Sequence, residues 1–151
     1  MKLFAKFLPM TILFAVFIAA CGSAKTADDK TYTEAETLAA FEKGACGTCH
    51  AIPGVPNASG VIAPSLANVN LTAEEHIKSP DFTGKAADAK DYIRESIVDP
   101  NVFIAPKCPT GACAPNVMPA ALKDILTSDE INAITNYLHG LPESAYGGSV
   151  A

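Results

Sequence analysis

The sequence predicts an all-α fold of three to five short helices joined by long loops. Three observations predict it: apolar stripes of helical period opened by capping residues, no run of period-two alternation, and proline- and glycine-rich stretches between the stripes. A length of 151 residues allows one domain. With Lys+Arg 11 against Asp+Glu 16, the net charge is -5, which leaves no basic surface for phosphates and excludes nucleic acid as a partner. A hydrophobic fraction of 49% excludes wholesale disorder. There is no Trp and only 7% aromatic residues, so a core of ordinary size needs added apolar bulk, such as a buried cofactor.

The first helix opens at Thr33, with Glu36 at the third position after it, a capping-box spacing. Leu38, Phe41 and Ala45 continue it along one face. Residues 51–70 hold Pro53, Gly54, Pro56, Gly60 and Pro64 and read as loop. A short helix over 72–78 is capped by Thr72 with Glu75 three residues on. A longer one runs from about Ala86 to Val98 on Ala89, Ile93 and Ile97, and Asp99-Pro100 stops it. Five prolines make 99–120 an extended loop. The last helix is capped by Thr127 with Glu130, carries Ile131, Ile134 and Leu138, and ends at Gly140 and Pro142.

The first 20 residues read as an address. Lys2 and Lys6 precede an apolar run, Phe7 to Ala20, too short to span a bilayer as a helix. The run ends Ala19-Ala20-Cys21-Gly22-Ser23, which resembles the bacterial lipobox, where the Cys receives a lipid and becomes the new N-terminus. The expected organisation is therefore a lipoprotein signal peptide over 1–20, a lipidated tether over 21–32, a folded domain over 33–141 and a tail over 142–151. Processing removes two lysines and no acid, so the mature chain is more acidic still. The small, polar tether would hold the domain near a membrane surface on the extracytoplasmic side.

Cys46-Gly47-Thr48-Cys49-His50 carries the chemistry. In C-x-x-C-H, two thiols three positions apart can each add across a haem vinyl group, and the adjacent His faces the iron. A zinc site would need two further ligands at a matching spacing, and a redox dithiol a βαβ context; the sequence supplies neither. Met118 is the methionine that remains after processing. A lone Met is more often core filler, but one before Pro119 and downstream of the motif reads as the sixth iron ligand. Its rivals have structural roles: His76 follows Glu74-Glu75 and reads as solvated, and His139 ends the last helix, where an imidazolium complements the dipole. One Cys for lipid and two for haem leave Cys108 and Cys113, expected to pair as a disulfide in an oxidising compartment and to stiffen the Met118 loop.

These residues resemble the class I (Met/His) monohaem c-type cytochromes over about 33–141. The resemblance implies the class I cytochrome c fold around one covalent haem c, with axial ligands His50 and Met118. It implies that Phe41 on the first helix packs across Tyr137 on the last. It also implies that Pro64, in Ile62-Ala63-Pro64-Ser65-Leu66, offers its carbonyl to the other ring nitrogen of His50. Two departures stand out: Ala63 replaces a usual Gly, and Thr37 occupies the place of a small Gly on the first helix, which predicts a looser or shifted crossing. The run from Tyr92 to Asn101 is similar to the Y-x-R-E-S-I-x-D-P-N segment of cytochrome c domains that feed respiratory complexes, including those fused to oxidase subunit II. A lipid-anchored form is also similar to the monohaem subunit of alternative complex III.

The function implied is one-electron transfer, with no catalytic residues, between a quinol-oxidising complex and an oxidase, reaction centre or soluble carrier. The alternative is a haem enzyme or gas binder of peroxidase-like type, which requires a displaceable sixth ligand. A third possibility is a fixed subunit of a larger membrane complex.

Overall fold

The two threonine caps define the helices on which the fold is built. In a computed structural model that describes residues 30–143, α1 (Glu34–Lys43) starts at Thr33 and α6 (Ser128–His139) at Thr127, each with a complete capping box. Between them lie α2 (Cys46–Cys49), α3 (Val69–Ile77), α4 (Ala89–Val98) and α5 (Leu122–Ile125). The all-α reading holds: no strand occurs among the described residues, only the isolated bridges Ala51–Ser59 and Cys108–Gly111. Among these residues four helices of nine residues or more carry the fold, and α2 and α5 are single turns. The signal peptide and Cys21 lie outside the described residues, as do most of the tether and tail. Lys30 and Tyr32 already contact Asp129 of α6, so the domain's contacts begin inside the segment assigned to the tether.

Helices α1 and α6 cross, with the Phe41 and Tyr137 rings edge-to-face at 5.3 Å. Thr37 is buried near the crossing, and its hydroxyl donates back to the Thr33 carbonyl at 3.0 Å, which satisfies it within its own helix. The buried stripe of α1 is Thr37, Ala40 and Phe41. The expected third member, Ala45, lies beyond the helix end. Lys43 reaches Glu130 at 2.7 Å and ties the end of α1 to the start of α6. That contact and the capping bonds hold the Glu130 carboxyl down at about 2. Because the folded value is depressed, the associated stabilisation is present above the ordinary carboxylate range and disappears as pH falls toward 2. Thr127→Ala is expected to cost about 1 kcal/mol, measured as a lower midpoint in denaturant with an unchanged slope.

Two boundaries differ from the sequence reading, both through long-range contacts. Helix α3 begins at Val69, not Thr72, because Val69 is buried in the core and Asn70 donates to the Leu138 and His139 carbonyls at 3.4 and 3.0 Å, closing the end of α6. Helix α4 begins at Ala89 behind an Asp88 cap. Ala86, expected to open it, and Lys85 just before instead donate their N–H groups to the Glu95 carboxylate at 2.9–3.2 Å, a loop clamped onto the helix that follows it. The main core joins Phe41, Ile93, Ile97, Leu122, Ile134 and Leu138. A second cluster places the rings of His76, Phe82, Tyr92 and Phe103 around Ala73 and Ala89.

Candidate functional site

Gly44 ends α1, and Ala45 then takes a left-handed conformation at φ 51. For a non-glycine residue this costs about 1–2 kcal/mol. It reverses the chain at once into α2, so Cys46 and Cys49 share one helical turn and His50 follows in extended conformation. Both thiols are free and half-buried. Burial raises the Cys46 thiol above its ordinary value.

The segment after the motif folds back along it. The Ile62 and Ala63 N–H groups donate to the Cys49 carbonyl at 3.2 and 3.0 Å, and Leu66 N–H donates to Ala51 at 2.9 Å. This bracket brings the Pro64 carbonyl to 2.7 Å from His50 Nδ1, with Ala63 in the loop. A carbonyl only accepts, so Nδ1 carries the hydrogen and Nε2 keeps its lone pair. Burial lowers the His50 value below its ordinary one, partly offset by the Pro64 carbonyl, and keeps the ring neutral. The result is an imidazole with a fixed tautomer and a free donor nitrogen, the arrangement a metal-ligating His requires.

Cys46, His50, Pro64 and Met118 line one cavity of about 330 Å³. Cys49 lies on the same turn without contributing to the wall. Much of the lining is core: Phe41, Ile93, Ile97, Ile134 and Leu138. Among the described residues no Asp, Glu, Lys or Arg lines it. Met118 is half-buried and also packs against the main core.

Its loop is fastened at two places. Cys108 and Cys113 form the expected disulfide, with Cα atoms 5.0 Å apart. Asn116, left-handed at φ 61, donates its N–H to Asn101 Oδ1 at 2.8 Å. The sequence reading gave Asn101 no role; its signal was its place in the Asp99-Pro100-Asn101 run. His76 is a correction. It is not solvated but half-buried, with Nδ1 2.8 Å from the Tyr92 hydroxyl and its ring against Phe103, and it lines the cavity. The sequence shows the acidic neighbours Glu74 and Glu75 on the outer side of α3 but not the aromatic cluster on the inner side. His139 is exposed, consistent with its place at a helix end.

Among the described residues no group of three His, Cys, Asp or Glu side chains is placed to hold a bare metal ion. The donors that do converge around the apolar space are the Cys46 thiol, one neutral imidazole and one thioether, with the Cys49 thiol on the same turn as Cys46, a set that fits a covalently held porphyrin. A family model described as cytochrome c matches residues 35–142. The chain belongs to the cytochrome c family. This cytochrome c binds haem c covalently, through the attachment spacing of Cys46 and Cys49, and is a haem-based electron carrier. The comparisons with curated proteins and with solved structures give no match.

Proposed function

We propose that this cytochrome c is a lipid-anchored, extracytoplasmic one-electron carrier of the class I type, with haem iron held between His50 and Met118. The hydrogen bond from His50 Nδ1 to the Pro64 carbonyl is the observation that carries this reading, because it leaves Nε2 as a donor at the cavity wall. When bound, haem c supplies an iron that gains or loses one electron without making a substrate bond. The chain's own residues do the rest. Cys46 and Cys49 anchor the group, and Pro64 fixes the proximal ring. Met118 offers a soft, uncharged thioether that favours ferrous over ferric iron. The apolar wall, free of charged side chains, penalises the more positive ferric state in the same direction.

The electron is passed between a quinol-oxidising complex and an oxidase, reaction centre or soluble carrier, either as a tethered shuttle or as a subunit of a larger complex such as one of the alternative complex III type. The lipobox at Cys21 and the polar stretch after it support attachment to the membrane. No helix among the described residues is long and apolar enough to cross one.

The test is a redox titration of the membrane fraction. A single reversible one-electron haem c transition is expected there, and Cys21→Ala should move it to the soluble fraction at an unchanged potential. An unmutated protein found wholly in the soluble fraction refutes the anchor. Asn101→Ala removes the acceptor for Asn116 N–H at a cost of about 1 kcal/mol. Displacement of the sixth ligand by added imidazole should then be faster by about fivefold, measured by stopped flow.

A further inference from the structure

The exposed residues that also line the cavity fall in two stretches, 62–65 and 110–117, which therefore form its mouth. Both stretches sit within longer runs, 45–70 and 108–122, that contain no Asp, Glu, Lys or Arg. In a chain with 16 acids and 11 bases, the charge has been kept off the two segments bordering the site. Large apolar side chains stand exposed in the same runs: Val61 at 66%, Ile62 at 52% and Val117 at 48%. Ile62 and Val117, one from each stretch, both line the cavity.

We propose that this uncharged, apolar rim is the docking surface for the redox partner, and that the partner is a protein whose own surface around its redox centre is uncharged and apolar. The proposal rests on the electron-carrier reading and names the kind of partner. Charge complementarity selects the occupant. A partner with a ring of lysines or carboxylates at its centre would have to desolvate those charges against two segments that offer no counter-charge. An apolar patch loses nothing there and expels water from three exposed side chains. Such an interface is small, so it releases as readily as it forms.

The experiment is stopped-flow oxidation of the ferrous holo-protein by a blue copper protein with an uncharged apolar patch over its copper, compared with a c-type carrier whose haem edge is ringed by lysines. With the copper protein, the bimolecular rate constant should change by less than about twofold between about 10 mM and about 500 mM salt. Val61→Asp should slow it by about tenfold, with absorption spectrum and potential unchanged, and Val117→Asp, on the cavity wall, should slow it by at least as much. Glu34→Lys, outside the rim, should leave it unaltered. Val61 does not line the cavity, so its variant reads docking separately from any change at the iron.

A tenfold or larger salt dependence, indifference to both Asp variants, or a faster reaction with the lysine-ringed carrier overturns the proposal. So does binding of the Cys21→Ala holo-protein to neutral phosphatidylcholine vesicles that Val61→Asp abolishes, which would assign the face to lipid. If dithionite reduces the haem and ferricyanide reoxidises it while the docking results fail, this proposal alone falls. If the haem cannot be cycled between dithionite and ferricyanide, the electron-carrier reading falls with it.

Discussion

The double variant Cys46→Ala, Cys49→Ala is expected to be colourless after acid–acetone extraction and largely unfolded, whereas the unmutated chain keeps its colour through the same treatment. Both effects follow from where the cavity sits. Its wall is built from core residues, including Phe41, Ile93, Ile97, Ile134 and Leu138. Without haem, the apolar lining of this cavity of about 330 Å³ is left unpacked and in contact with water. A domain's whole stability is about 5–15 kcal/mol. A chain with no Trp and few aromatics has little with which to close such a space. Single variants should keep haem on the remaining thioether with reduced thermal stability, measured by loss of haem circular dichroism on heating. Extraction of the colour from the unmutated protein would contradict covalent attachment outright.

Met118→Ala is expected to produce the largest functional change. Loss of the thioether removes a ligand that favours the ferrous state, so the reduction potential should fall by roughly 0.1–0.3 V, a share of the ~0.8 V that axial ligands can span. The weak charge-transfer band of a Met–ferric bond, at the red edge of the visible spectrum, should disappear, and carbon monoxide should bind rapidly. Met118→His should restore six-coordination at a lower potential without restoring the band. These variants also separate the carrier from the haem enzyme or gas binder: rapid carbon monoxide binding by the unmutated protein would favour the latter. Retention of both band and potential in Met118→Ala would place the ligand elsewhere. His76 then becomes the next residue to replace, since it lines the same cavity and His139 does not.

The sequence by itself determined the features that are local. Thr33 and Thr127 with their glutamates marked the start of α1 and α6 because a capping box is completed within four residues. The stripes of α4 and α6 followed from helical period, and the C-x-x-C-H spacing carried the attachment chemistry in five residues. The pairing of Cys108 with Cys113 followed from counting the cysteines left over. The tertiary structure decided what depends on partners distant in the chain. Helix α3 starts at Val69 because Asn70 closes α6, and α4 starts late because Glu95 captures the N–H groups of Lys85 and Ala86. His76 faces an aromatic cluster that α4 and the following loop supply. Ala45 adopts a left-handed turn that its apolar side chain does not announce, since periodicity registers burial and not backbone reversal. The gathering of His50, Pro64 and Met118 around one apolar cavity, with an uncharged mouth, likewise depends on loops whose course no local period encodes. They are held instead by bonds such as Ala63 to Cys49 and Asn116 to Asn101.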